Sequence, residues 1–500
     1  MPAIEDAHVT ERIILRSLAD MNLKNAERVA FDGATIELAA EAEAMIAEGR
    51  RRFESYIENK GGYIYGSTTA PGSRAKVLLS EQDSRRQGAT LRNFIALKAG
   101  PGGAMLCERC VRLAVFARLS NAMTGSGKLR PATVRAVANL LQALPAVPLQ
   151  SVACSGEVVP LSWLAAPLAD MPLAIGEAMA LINGSPFATA MASDVALTAR
   201  RRINLAERVL ALSVEAAQCP AGHFDPRLAD RWLDPCYRES LERLHALLAD
   251  SQRLQLQHQA PTSWRVIPNV LASALHALAE GSRSAEIGLQ SLKDNPTFLR
   301  SAAGSDEDAM VSGSGYHDHG AAKAIDQINS AMVDLCVLAS RQVAHLLDGG
   351  TLGLPPLLAR DGDAVGAEYL AWCMTEPLTT ARRAAEATTL DVGLHDPAGN
   401  QSDISSLACI AYGKHREVAR SFDACFASLA VTASLALGFR GTQPPAALRP
   451  LALRLAALTG AAARRIDAVG EPLRRLQALM HTHCEEMTSV EAAQSASVFG

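Results

Sequence analysis

Between Gly320 and Gly349 the apolar residues Ile325, Ile328, Met332, Leu335 and Ala339 recur at steps of three and four. That spacing lays one apolar stripe along a helix of roughly 25–30 residues, longer than the usual globular helix. Comparable patterns cover 195–217, 236–257, 408–438 and 446–480, and no Ser/Gly/Pro linker separates them. Ala and Leu run through nearly every segment, which favours helix. The first 60 residues read as short helices around a turn at Asp32-Gly33. From 61 to 103 Gly, Ser and Thr crowd the chain, which predicts ordered loops broken by a short helix. The expected architecture is all-α, one unit over 1–500. It has a loop-rich part to residue 190 and a bundle of long helices from 191 onward. Loops held on such a scaffold are where chemistry concentrates.

Composition narrows the functions open to this scaffold. With 500 residues at 49% hydrophobic, the chain can bury a large core. A net charge of -4 gives no global basic field, so nucleic acid is not an expected partner and any anionic ligand must be held by local charges. No segment offers about 18 uninterrupted apolar residues, so no membrane span is expected. The start, "MPAIEDAHVTERI", carries acids early and lacks an apolar signal core. The 10 cysteines are scattered and read as reduced thiols of a cytoplasmic protein.

Several local patterns lack the residues their chemistry needs. "TGSGKL" (124–129) has Ala122 where a phosphate loop has its first Gly and Leu129 where it has Ser or Thr. "CERC" (107–110) is half a zinc site, and "HTHC" (481–484) is no second Cys pair, so two helix thiols and a surface cluster are expected and no metal. "HDH" (317–319) reads as a turn before a helix, and "GRRRF" (49–53) as a solvated helix face. In "SVACSGEVVPL" the hydrolase elbow would need Gly at both places now held by Ala153 and Glu157, which rules out Ser155 as a hydrolase serine.

Five stretches gain meaning together. They are "YIYGSTTAPG" (63–72), "VACSGEVVPL" (152–161), "ALINGSPFATA" (180–190), "QAPTSWRVIPNV" (259–270), and "KDNP" (293–296) with "SGSGYHDHG" (312–320). In this order and spacing they resemble the aromatic amino acid lyase family, which comprises histidine, phenylalanine and tyrosine ammonia-lyases and the related aminomutases. The resemblance runs from about residue 20 to 410, and weakly beyond. It implies that Cys154-Ser155-Gly156 is itself the reagent. In the family the Gly nitrogen attacks the carbonyl of the first residue, and loss of two waters gives methylidene-imidazolone (MIO). Cys154 then lends only its carbonyl, Ser155 loses its hydroxyl, and Gly156 brings a nitrogen unhindered by a Cβ.

The other matches follow from the same resemblance. Tyr65 occupies the position of the catalytic base, which must remove a weakly acidic β-proton. A free phenol has a pKa near ~10, so the site is expected to lower it with cations or helix N-termini. Arg265 matches the arginine that grips the substrate carboxylate as a bidentate fork. Asn183 matches the asparagine that helps hold the MIO carbonyl and the substrate. A homotetramer with shared sites is implied, and long Ala/Leu helices whose apolar faces need covering agree with it.

Departures from the family gather at the site. Ala153 and Glu157 replace Gly and Asp beside the tripeptide, and the Asp assists cyclisation in the family. Thr262 stands in place of a second tyrosine, Thr68 in place of an Asn, Tyr316 in place of Phe, and Ser402 in place of the distal Glu or Gln. The pair facing the substrate side chain is Leu97 and Lys98. Leu97 gives an apolar wall, and a cation at Lys98 in a water-poor pocket needs an anionic or strongly accepting partner. The expected function is an MIO-dependent ammonia-lyase or aminomutase acting on an α-amino acid other than histidine. The alternative is a lyase-fold protein without MIO, either a scaffold subunit or an enzyme of other chemistry.

Overall fold

The computed structural model describes residues 11–60, 62–96, 104–149, 156–301, 308–363, 365–390, 403–459 and 470–482. Four long helices dominate it: Pro186–Ala217, Ile267–Leu289, His319–Asp348 and Ala408–Arg440. The stripe that predicts the third is buried throughout, with Ile325, Ile328, Met332, Leu335 and Ala339 at 0–1% exposure. Asp318 starts this helix by accepting the Ala321 N–H at 3.0 Å, and Gly349 at φ +70° ends it. By length and composition Ala408–Arg440 could cross a membrane, but 78% of its apolar window is buried inside the fold, as in a core helix.

The structure departs from the sequence pattern in three places. The helix expected over 236–257 is Pro235–Leu247. Beyond it, Ser251 Oγ donates to Glu215 Oε2 at 2.8 Å and the Leu254 N–H donates to Gln218 Oε1 at 2.6 Å. Gln218 thus takes up a backbone N–H that a continued helix would have used, and periodicity does not register such bonds. The pattern over 446–480 opens on a 3-10 turn, Ala446–Leu448, followed by the helices Arg449–Thr459 and Gly470–Thr482, with 460–469 outside the described residues.

The third departure lies in the first 60 residues, which are not only short helices. Strand β1 (Arg12–Leu15) pairs in parallel with β2 (Thr35–Leu38), joined through the helix Leu23–Phe31, and a 21-residue helix Ala40–Lys60 follows. Each strand has only four residues, too few for alternation to stand out. The expected turn is present, with Gly33 at φ +70°. "GRRRF" is not a solvated face. Arg50 is 4% exposed, donating from Nη1 to the carbonyls of Lys128 (2.7 Å) and Ile175 (3.0 Å).

The chain divides into two compact units interleaved in sequence. The first comprises 1–197, 281–325 and 388–413, and the second 198–280, 326–387 and 414–500. The sequence-based boundary at residue 190 falls inside the continuous helix Pro186–Ala217. In the first unit an antiparallel pair, β3 (Thr297–Leu299) and β4 (Ala309–Val311), separates two stretches that carry part of the candidate site, Lys293–Pro296 before it and Gly313–Tyr316 after it.

Candidate active site

The site is built outward from Lys293–Pro296. Asp294 and Lys128 form an ion pair at 2.7 Å with side chains only 2% and 1% exposed, and Lys128 Nζ also donates to the Pro296 carbonyl at 2.8 Å. Burial pulls the Lys128 ammonium below its ordinary range, and Asp294 opposes that shift. Asn121 clamps the start of the segment twice: it donates to the Lys293 carbonyl and accepts the Lys293 N–H, both at 2.9 Å. Once rigid, the segment serves as the wall on which three other pieces rest.

The first piece is Asn183, at the end of the helix Glu177–Ile182. Its Nδ2 donates to the Asn295 carbonyl at 2.6 Å, and its Oδ1 accepts the Gly184 N–H at 2.8 Å. Gly184, at φ +120°, lies so close to the Lys293 carbonyl that no Cβ fits. The buried Arg118 donates from Nη1 to the Asn183 carbonyl at 2.6 Å. Asn183 is thus held by protein on both of its polar ends.

The second piece is the turn Gly313–Tyr316. Asn295 Oδ1 accepts from Ser312 Oγ (3.1 Å) and from the Gly313 N–H (3.0 Å), and a Cβ on Gly315 would collide with the Asp294 backbone. Tyr316 is thereby set against Gly156. A Cβ built on Gly156 would stand 3.3 Å from Tyr316 Cβ and 3.4 Å from its Cδ2.

Glu157, the next residue, is 3% exposed and aims its carboxyl at the start of Pro186–Ala217. Its two oxygens accept the N–H groups of Phe187 and Ala188, each at 2.7 Å. The extra methylene of Glu over Asp therefore places the carboxyl on a helix N-terminus, where negative charge is favoured. Burial pushes Glu157 up to about 8, against those two N–H bonds and Lys293. Lys293 itself pairs with Asp318 and donates to Thr189 Oγ1 at 3.1 Å.

The third piece is the loop of Tyr65. Thr68 Oγ1 accepts the Ile64 N–H at 2.8 Å and donates to the Gly62 carbonyl, so the Thr in place of Asn closes the loop on itself. Gly66, at φ +65°, lies against Met179, and Met179 Sδ accepts from Asn183 Nδ2 at 3.6 Å, which connects this loop to the first piece. The half-buried Tyr65 hydroxyl accepts the Gly72 N–H at 2.9 Å. Within its own chain the phenol is not lowered. Burial raises it and the nearby Tyr316 adds to the rise, with only the Gly72 N–H acting the other way.

Arg265 belongs to the second unit, on the short helix Thr262–Arg265. Trp264 anchors that helix by donating from Nε1 to Ser213 Oγ at 3.0 Å, and Gln342 Nε2 donates to the Ser263 carbonyl at 2.8 Å. Arg265 and Thr262 are exposed, and Arg265 Nη1 donates to Gln259 Oε1 at 3.2 Å. Tyr65, Gly156, Asn183 and Tyr316 all lie in the first unit. Leu97, Lys98, Cys154, Ser155 and Ser402 lie outside the described residues, as does Ala153.

Patterns set aside on sequence grounds are also placed. Cys107 precedes the helix Glu108–Met123, and its Sγ is 3.6 Å from Tyr412 Oη. Cys110 is fully buried, which pushes its thiol up. Tyr412 donates to Asp194 at 2.7 Å, and Asp194 pairs with Arg109. This is a buried structural network around two helix thiols. In the "HDH" turn, His317 Nε2 lies 3.0 Å from the Ser405 carbonyl. Sequence reasoning gave no role to Lys128, Lys293 or Arg118, although Lys128 lies in the Gly-flanked "TGSGKL" and Lys293 opens "KDNP".

Comparison with known proteins bears on the family and the fold. The sequence profile of the aromatic amino acid lyases matches residues 21–171 and 166–458. Histidine ammonia-lyase of Vibrio cholerae is 26% identical over 458 residues, 84% of this chain and 87% of that protein. Ergothionase of Treponema denticola, an ergothioneine-degrading enzyme solved with desmethyl-ergothioneine sulfonic acid, has the same fold. It superposes with a TM-score of 0.81 at 15% identity, over 98% of this chain and 100% of that one. Tyrosine aminomutase of Streptomyces globisporus gives 0.76 at 23% identity, over 94% and 97%. The chain belongs to the aromatic amino acid lyase family and is a carbon–nitrogen lyase of the ammonia-lyase type.

Proposed function

We propose that the protein is an MIO-dependent ammonia-lyase or aminomutase that eliminates ammonia from an α-amino acid other than histidine, with MIO formed from Cys154-Ser155-Gly156. The observation that carries this reading is the setting of Gly156. It lies against Tyr316, where a Cβ would be a tight fit, and the next residue is fixed by two helix amides. A nitrogen that must approach a carbonyl needs such an unhindered, held position. When formed, MIO supplies an electrophile that takes up the substrate amino group and turns it into a better leaving group.

The chain's own residues do the rest. Arg265 binds the substrate carboxylate through its fork. Asn183, fixed by Asn295 and Gly184, orients the groups beside it. Tyr65 takes the β-proton at its phenol oxygen, and Tyr316 packs against Gly156. Glu157 titrates near 8, so its carboxyl exchanges a proton close to neutral pH, as assistance to ring closure requires.

That raised carboxyl predicts a pH signature. The unfolded state loses the Glu157 proton near 4.5 and the folded state near 8, so the folded state binds more protons in between. The contribution of Glu157 to stability is present below about 4.5 and is lost as pH rises through about 8. The urea midpoint of the wild type should fall from pH 5 to pH 8 more steeply than that of Glu157→Gln. Equal slopes would contradict the assignment.

Among the described residues, the surroundings of Tyr65 in its own chain raise its phenol, so the cation it needs is assigned to another copy. A homotetramer with shared sites meets that need, and it would cover large exposed side chains such as Trp372 (66%) and Leu453 (65%). Mass photometry at micromolar concentration should show four chains, and a stable monomer would rule shared sites out.

The substrate follows from Leu97 and Lys98. Position 402 holds Ser in place of the family's Glu or Gln and so offers no carboxylate, and an acidic or strongly accepting end on the substrate is the partner proposed for Lys98. Lys98→Leu should then raise KM roughly 10–100-fold, the worth of a charge-assisted hydrogen bond, with kcat changed much less. Deamination of histidine or phenylalanine at ordinary rates by the wild type would overturn this choice of substrate.

A further inference from the structure

We propose that Asp234, Cys236 and His276 form a binding site for one zinc-class divalent cation. Asp234 caps the helix Pro235–Leu247: its Oδ1 accepts the Cys236 N–H at 2.9 Å and lies 2.8 Å from His276 Nε2. One ligand atom from each of the three residues lies within 4.8 Å of the other two. Among the described residues this is the only group of three or more His, Cys, Asp or Glu side chains to converge in this way.

The backbone beneath the site is fixed while the ligating tips are free to adjust. Cys236 packs on a buried cluster of Ala229, Tyr237, Leu241 and Ala272, which joins Pro235–Leu247 to Ile267–Leu289. His276 follows Ala272 by one helical turn and its side chain is 56% exposed, against 26% for Asp234.

The donor set decides the class of ion. Calcium and magnesium take oxygen ligands, whereas thiolate, imidazole and carboxylate together suit zinc and its spectroscopic substitute cobalt. Three protein ligands leave a fourth position for water. On binding, the cation displaces the thiol proton of Cys236, which is released to solvent. The His276–Asp234 hydrogen bond opens so that each contributes a lone pair to the cation. The bound ion then ties the start of one helix to the middle of another.

The test uses the full chain, stripped with a chelator and titrated with Zn2+ against a chromophoric competitor. One equivalent should bind at micromolar or tighter affinity and raise Tm, and Co2+ should give a thiolate-to-cobalt charge-transfer band. Cys236→Ser and His276→Ala should each weaken binding at least about tenfold, and Cys236→Ser should erase the band. His276 is exposed, so His276→Ala keeps the fold, checked by circular dichroism. Absence of stoichiometric Zn2+ binding, or binding undiminished in both variants, would overturn the site.

Discussion

Ser155→Ala is expected to lower turnover by at least ~10³-fold, because covalent help is lost at the step where a poor leaving group must depart. Alanine keeps the backbone of the tripeptide and removes the one hydroxyl whose loss creates the methylidene. The surroundings fixed by Tyr316 and by the Glu157 carboxyl remain, so the fold and the carboxylate grip of Arg265 should survive. Cys154→Ala is the matching control. Its side chain takes no part in ring closure, and activity should stay within a few-fold of wild type. Steady-state kinetics on both variants separates the roles. Comparable losses in the two, or near-normal turnover by Ser155→Ala, would be incompatible with a tripeptide reagent.

Lys128→Met should cost about 3–5 kcal/mol of stability, the usual penalty for stranding one partner of a buried ion pair. Asp294 would lose its ion-pair partner at 2% exposure and keep only the field of the buried Arg118 and the Asn295 N–H. Because Asp294 sits beside Asn295, which holds both Asn183 and Gly313, activity should fall alongside stability. Removing both charges in Lys128→Met/Asp294→Asn should recover most of the loss, since the pair's net contribution over an uncharged packing is small. Urea unfolding would show this as a midpoint that drops in the single variant and returns in the double, with the slope unchanged. A single variant as stable as wild type would mean that the wall beneath the site does not depend on this pair.

The sequence made the long helices legible because their stripes repeat over many turns, as Ile325 to Ala339 do. It did not make β1 and β2 legible, since four residues carry too little period. The end of Pro235–Leu247 was hidden for another reason: distant side chains, Glu215 and Gln218, capture the following segment. At the site, Tyr65, Gly156, Asn183 and Tyr316 stood out by their motifs, and the structure gathers them in one unit. What motifs could not convey was support. Lys128 in a Gly-flanked turn and Asp294 far along the chain give no sign of each other until folded. Nor does Glu157 announce that its longer arm reaches the amides of Phe187 and Ala188. The direction of the Tyr65 shift was likewise out of reach, because burial and not local sequence sets it.

The most direct test of the central claim is the mass of the peptide containing Cys154-Ser155-Gly156 from folded, wild-type protein. It should be lighter than its sequence mass by two waters, and in Ser155→Ala it should return to the full value less the serine oxygen. An unmodified wild-type peptide from correctly folded protein would contradict MIO formation and leave a lyase-fold chain of other chemistry.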